Sequence, residues 1–220
     1  VVDFQDWEQY YTQILHSFRF SRKQDEESAR LLYKLLPEPR LEISTFWQLL
    51  QGKTVFIFGA HENVEKGIDL LDDSRIRGVF IAADGACSAL RNKGIRPDLI
   101  VTDLDGKEED LLHWNSEGVP LIVHAHGDNM ERIRSIAPSL RNCLGTTQSR
   151  PFGNIHNFGG FTDGDRCVFL ADHFAAIRII LVGFDFTEVG KYSFHSDEEQ
   201  KLRKLGWAKK LISLFEVDYL

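Results

Sequence analysis

The sequence is poor in sulfur and proline: three cysteines, one methionine and six prolines in 220 residues. Cys87, Cys143 and Cys167 are widely spaced, and no CxxC pair exists, so neither a disulfide framework nor a zinc knuckle is supported. No apolar run approaches the roughly 18 residues of a membrane span. The opening stretch, VVDFQDWEQYYTQIL, lacks the basic region and apolar core of a signal peptide. A reducing cytoplasm is therefore the expected location, with no membrane partner. The standard glycine loops are missing too. There is no GxxxxGK[ST], no GxGxxG after the first strand pattern and no GxSxG, which excludes a P-loop, a dinucleotide fingerprint and a nucleophile elbow. Net basic charge is also lacking: 33 acidic against 26 basic side chains give −7, which argues against a nucleic-acid partner.

What is present is an ordinary globular composition, 43% hydrophobic and 27% charged, in a chain long enough to bury a core. Residues 3–36 read as two helices. Phe4, Trp7, Tyr11, Ile14, Leu15 and Phe18 recur at helical spacing in the first. Ser21 is placed to cap the second, and Pro37 and Pro39 follow it. From about residue 52 short apolar runs alternate with amphipathic stretches. The runs are Thr54–Phe58, Val79–Ala82, Leu99–Thr102, Leu121–His124, Asn142–Gly145 and Arg178–Val182. Helical stretches follow at Asn63–Leu71, Ala86–Lys93, Asn129–Ile136 and Asp163–Phe174, and Ser196–Phe215 reads as a closing helix. Gly153–Gly160 reads as loop or short strand. The expectation is an α/β chain: a mainly parallel, Rossmann-like sheet with helices on both faces over residues 47–220, preceded by a small helical segment, 1–46.

Ligands of such sheets bind beyond the carboxyl ends of the strands. In this sequence those ends carry Asp, Gly, Thr and His: Gly59–Asn63, Ala83–Ala86, Asp103–Gly106, His124–Asn129, Gly145–Gln148 and Gly183–Phe186. Asp103 and Asp105 are the sharpest pair. Two apart on an extended segment, they face the same side and repel unless a cation or proton lies between them. Hard oxygen ligands of this kind suit Mg²⁺ beside phosphate; the bland alternative is a solvated Asx turn. Asp128 reads as a helix N-cap, a third metal-facing carboxylate, or both. Asp84 caps the next helix or binds a ligand group, and Asp98, at the opposite edge, is structural. His124 and His126 form an HxH that suits a transition metal, an aromatic ligand or plain packing. Glycines before Thr162, Asp163, Asp165 and Arg166 let backbone approach a phosphate, with Arg166 either a phosphate donor or a salt-bridge partner of the neighbouring acids. His156, His173 and His195 belong to no interpretable set.

ADGACSAL, GIRPDLIVTDLDG, VHAHGDN, GTTQ and NFGGFTDGDR, in this order between Thr54 and Phe186, resemble the archaeal 6-hydroxymethyl-7,8-dihydropterin pyrophosphokinase (MptE-like) family. The DG…PD…DxD pattern is more distantly similar to thiamine pyrophosphokinases. The resemblance implies transfer of diphosphate from ATP to the hydroxymethyl group of a reduced pterin, with Mg²⁺ and release of AMP, in tetrahydromethanopterin or folate-type cofactor synthesis. It implies a catalytic set of Asp103, Asp105, Asp128 and Asp84, the first three holding metal. Gly145, Thr146, Gln148, Thr162, Asp163, Asp165 and Arg166 are expected on the nucleotide, and Asp84, His124, His126 and Asn129 on the acceptor. Enzymes of this class are often homodimers. The first-strand loop departs from the family's usual GxGPS. Competing readings are a thiamine-type pyrophosphokinase, a domain related to nucleotide-sugar glycosyltransferases, an HxH metal hydrolase and a non-catalytic nucleotide-binding module.

Overall fold

The computed structural model describes residues 4–36, 38–74, 76–193 and 197–220. His195, the Ser196 start of the closing helix, Pro37 and the Phe4 side chain lie outside the described residues. Two helices, α1 (Phe4–Phe18) and α2 (Arg22–Leu35), open the chain, and Ser21 caps α2 by accepting from Gln24 N, as its spacing predicts. A third, α3 (Ile43–Leu50), runs across residue 46. Then β1 (Thr54–Phe58), α4 (Asn63–Ser74), β2 (Val79–Ala83), α5 (Ala86–Asn92), β3 (Leu99–Thr102), α6 (Glu108–Ser116), β4 (Leu121–Ala125), α7 (Met130–Ile136) and β5 (Cys143–Thr147) follow in strict alternation. A two-residue β6 (Ile155–His156), α8 (Asp163–His173), β7 (Arg178–Val182), α9 (Glu198–Ile212) and β8 (Asp218–Tyr219) complete the described chain. No helix among the described residues is long and apolar enough to cross a membrane.

The strands form one sheet in the order β6-β5-β4-β3-β2-β1-β7-β8, and every strand pairing is parallel. From β1 to β5 each strand is laid beside the last in the same direction. Right-handed crossovers then place α4 to α7 on one face. The chain returns through α8 on the other face to set β7 against the far side of β1, with Ile179 beside Val55.

Alternation along the strands divides the core accordingly. Phe56, Phe58, Ile100, Val123 and Val182 pack with α2 and α4–α7, through Leu32, Ile68, Leu90, Trp114 and Ile133. Val55, Ile57, Ile81, Val101 and Leu181 pack with α3, α8 and α9, through Phe46, Val168, Phe174 and Ile212. Trp7, Tyr11, Ile14 and Phe18 of α1 form a third cluster with Phe161, Phe169 and Leu211. The three cysteines are free and buried.

Three elements escape the sequence pattern. The short α3 offers the sheet Phe46 and Leu50, and α6 is acid-rich with a narrow apolar stripe, Leu111 and Trp114. The exposed β8 joins the edge through Ile180↔Asp218.

Candidate active site

The carboxyl ends of β1, β2, β3 and β7 open into a cleft that spans the switch point between β1 and β7. Its floor is acidic. Asp84, Asp103, Asp105 and Asp163 each place a carboxylate oxygen within 4.8 Å of the others.

Unusual backbone makes this convergence. Asp84 stands at φ 32° and Leu104, between the paired acids, at φ 69°. The Asp103–Asp105 segment is thus a left-handed turn rather than the extended pair its spacing suggests, and the Asp105 N–H donates to Asp103 Oδ1 (3.2 Å). Thr102 Oγ1 donates to Asp84 Oδ1 and accepts from Leu104 N (2.8 Å), tying two strand ends together. Gly106 is required by space: a Cβ there would lie 2.5 Å from Asp84 Oδ2. Such strained backbone is characteristic of functional sites.

The electrostatics are dominated by repulsion among these carboxylates. At an effective dielectric of about 20, two unit charges 4.8 Å apart repel by about 3.5 kcal/mol. Burial, then the charge of Asp105, pushes Asp84 well up; burial, then Asp103, pushes Asp163 well up and Asp105 to about 6. Burial also pushes Asp103 upward, but the bond from His126 and the Arg166 guanidinium outweigh it and hold Asp103 low. His126 Nδ1 accepts from Asp128 N (3.3 Å), so its proton is on Nε2, which donates to Asp103 Oδ2 (3.2 Å). From α9, Lys201, Lys204, Leu205 and Ala208, at helical spacing, line the same cleft. Burial pushes the Lys204 ammonium down against the pull of Asp103.

The expected site residues therefore separate. Asp84, Asp103, Asp105 and Asp163 come together; Asp163 joins the acids although its motif suggested nucleotide contact or a salt bridge to Arg166. Asp128 stands apart from the four, exposed on a 3₁₀ turn whose Gly127 N is held by Asp25 Oδ1 (2.8 Å). Asp165 is buried, accepting from Phe161 N, Thr162 N (2.9 Å) and Thr162 Oγ1 (2.8 Å), so it locks its own loop. Arg166 pairs with Asp163 (3.0 Å) and donates to the Phe161 carbonyl (2.6 Å).

Asn129 is a strut. Its Nδ2 donates to the carbonyls of Asp103 and His124 (2.7 Å each), and its Oδ1 accepts from His126 N (3.1 Å) and Ser28 Oγ (3.2 Å). Both protons and both lone pairs are thus committed, leaving none for an acceptor substrate.

Gly145, Thr146 and Gln148 do not line the large cleft. A Cβ at Gly145 would meet Ile155 Cδ1 at 2.6 Å, so packing explains this glycine. Thr146 Oγ1 donates to the Val123 carbonyl (3.3 Å) and accepts from His124 Nδ1 (3.1 Å). His124 is buried and its imidazole is pushed toward the neutral form, by burial first and then by Arg166. Neither His124 nor His126 belongs to a metal-binding group among the described residues, so no geometry favours the HxH hydrolase.

The first-strand loop docks on the β7 exit. Buried His61 accepts from Asn63 N (3.2 Å) at Nδ1 and meets Glu188 Oε1 (3.0 Å) at Nε2. His61 and the two lysines of α9 are cleft residues the sequence reading missed. The lysines left a signal, their 201, 204, 205, 208 periodicity; His61 lies in the Gly59–Asn63 strand end already placed at the ligand edge, but had no role of its own there. Asp98 is structural as expected, accepting from Phe80 N (2.8 Å).

A parallel α/β sheet with a ring of carboxylates and two lysines at its switch point gathers hard oxygen donors and ammonium groups where ligands of such sheets bind. Residues 32–191 match the family described as "6-hydroxymethylpterin diphosphokinase MptE-like", and the chain belongs to that family. It is similar to a Methanocaldococcus jannaschii protein named "6-hydroxymethyl-7,8-dihydropterin pyrophosphokinase", 39% identical with all of both chains covered. A Methanothermobacter thermautotrophicus protein of the same name is 41% identical, over 98% of this chain and 96% of its own. Among solved structures, the MAf glycosyltransferase of Magnetospirillum magneticum AMB-1 superposes with a TM-score of 0.48 at 16% identity, over 84% of this chain and 35% of that one, a likeness too slight to carry function.

Proposed function

We propose that the chain is a 6-hydroxymethyl-7,8-dihydropterin pyrophosphokinase that takes its diphosphate from ATP with Mg²⁺ bound, acting in the cytoplasm within a reduced-pterin cofactor route. The observation that carries the reading is the convergence of Asp84, Asp103, Asp105 and Asp163 at the strand ends, in a chain of this family.

The donor set fits Mg²⁺. It is all hard oxygen, and three of the four acids are pushed upward, by burial first and then by one another's charge. Asp103 and Asp105, with Asp84 or Asp163, would hold the ion, whose chemistry is to neutralise the diphosphate oxygens as charge develops on them. The acceptor hydroxyl oxygen bonds to the β-phosphorus of ATP, the bond from that phosphorus to the α,β-bridging oxygen breaks, AMP leaves, and the hydroxyl proton passes to solvent. Positioning and charge stabilisation supply most of such a rate. Lys201 and Lys204 line the cleft beside the acids and would face the donor's phosphates. His126 has Nδ1 engaged by backbone and Nε2–H on Asp103, so its part is to keep Asp103 ionised and oriented.

The test is AMP formation from ATP with 6-hydroxymethyl-7,8-dihydropterin, thiamine or a hydroxymethyl-pyrimidine, with and without Mg²⁺. AMP is expected only with the pterin and Mg²⁺ together. AMP from none of the three would refute the reading, and AMP from thiamine alone would move the chain to its neighbour class.

A further inference from the structure

A second, smaller cleft lies on the other side of Asp103, between the start of α2 and the β4 exit. Asp103, Phe161 and Lys204 line both clefts, so the carboxylate ring stands at their junction. The wall of the smaller cleft is unusual in three respects. Phe20, in the turn between α1 and α2, and Phe161 present tilted rings with centroids 6.4 Å apart. That spacing is too close to admit a third ring between them; Phe18 stacks on Phe20 (5.2 Å) and the Lys204 ammonium lies 5.9 Å from the Phe20 centroid, so the pair lends the cleft an apolar wall rather than an open ring face. Two buried polar atoms of the lining residues, Gln148 Oε1 and Arg166 Nε, have no hydrogen-bond partner among the described residues. The Asp128 carboxylate, on the rim, likewise accepts no hydrogen bond among them.

This chemistry matches a flat heterocycle with several N–H groups. A pterin ring has an apolar face, and its amino and ring N–H groups need acceptors of the kind Gln148 and Asp128 offer. ATP, the larger molecule, fits the larger cleft, where the lysines and acids are. A direct displacement brings nucleophile and leaving group to the phosphorus from opposite sides, which two clefts meeting at Asp103 permit.

We propose that the smaller cleft seats the acceptor pterin, with Phe20 and Phe161 as its apolar wall and Gln148 Oε1 and Asp128 accepting its N–H groups, so that its hydroxymethyl arm reaches the carboxylate ring at Asp103. This rests on the diphosphotransferase reading above. It gives the N-terminal helices a part in substrate binding, and Phe20 precedes the matched span 32–191.

The test compares the full-length chain with Phe20→Ala and Asp128→Asn. KM is measured separately for 6-hydroxymethyl-7,8-dihydropterin, ATP and Mg²⁺ by AMP formation, and binding of fluorescent 6-hydroxymethylpterin is titrated without ATP. The expected result is a pterin KM raised about tenfold or more in both variants, and weaker pterin binding without ATP, with the Mg²⁺ requirement as in wild type and a change of less than about threefold in the KM for ATP, since Phe20 and Asp128 also neighbour Lys204. An ATP KM raised as much as the pterin KM, a shifted Mg²⁺ requirement at Asp128→Asn, or an unchanged pterin KM would overturn the proposal while leaving the activity in place. Asp128 is exposed and its carboxylate accepts no hydrogen bond among the described residues, so that variant tests the idea even where Phe20→Ala unfolds. Absence of AMP from wild type with the pterin would instead sink the wider reading.

Discussion

Asp105→Asn isolates the tension in the carboxylate ring. Burial and then Asp103 push the Asp105 carboxyl from an ordinary 3.8 to about 6, a change worth about 3 kcal/mol. Because the folded value lies above the unfolded one, this group's contribution to stability is fully present below about pH 4 and is lost as pH climbs through about 6. At about pH 7.5 the metal-free protein therefore carries up to ~3 kcal/mol of strain from this one ionised group. Asn cannot ionise, and its amide can donate to a neighbouring carboxylate as the protonated acid does. For a chain of this size 1 kcal/mol moves the melting temperature by about 2–4 °C. Metal-free Asp105→Asn is thus expected to melt up to about 6–12 °C above wild type at about pH 7.5, about 2–4 °C above it near pH 4.5, and level with it below about pH 3.5. Added Mg²⁺ should raise the wild-type melting temperature markedly and the variant's much less. Thermal melts in EDTA and in Mg²⁺ across this pH range decide the matter. A variant that melts below wild type in EDTA at neutral pH, or an increment that does not shrink on acidification, would refute the account of the ring as uncompensated charge.

Gly106→Ala forces a Cβ to within 2.5 Å of Asp84 Oδ2, so Mg²⁺-dependent turnover should fall about tenfold or more while circular dichroism stays native; wild-type turnover would show that Asp84 has room to move. Asn129→Ala removes four hydrogen bonds from buried partners and should lower stability by about 3 kcal/mol, read as a shifted urea midpoint; a change under about 1 kcal/mol would remove Asn129 from its role as strut. Apparent Mg²⁺ affinity should weaken as pH falls below about 6, because the ion must displace a proton from Asp105; a calorimetric affinity that is flat between about pH 5 and 7 would contradict this.

The strand frame was legible because each buried parallel strand reads as a short apolar run, and the strand-end acids because carboxylates there are chemically conspicuous. Asp84, Asp103 and Asp105 fall within adjoining motifs and were found together. Asp163 is remote in sequence and reaches them only through the α8 crossover, which no local spacing reports. Asn129 and Asp165 illustrate the reverse: polar residues in striking motifs whose hydrogen bonds turn inward. A motif marks that a residue type is required at a position, and the requirement can be architectural. The lysines of α9 went unnoticed because an amphipathic helix hides a functional pair among ordinary surface charge.

The placement of β7 has a consequence for synthesis. β1 is Thr54–Phe58, without a charged residue, and its second neighbour in the sheet begins only at Arg178, some 120 residues later. At about 5–20 residues per second, the ribosome leaves that apolar edge unpaired for roughly 6–24 s. Until then the strand is a template for any passing β-segment. The same delay keeps the β7 side of the cleft and both lysines of α9 from the site, so until then Arg166 is the cation its acids have beside them.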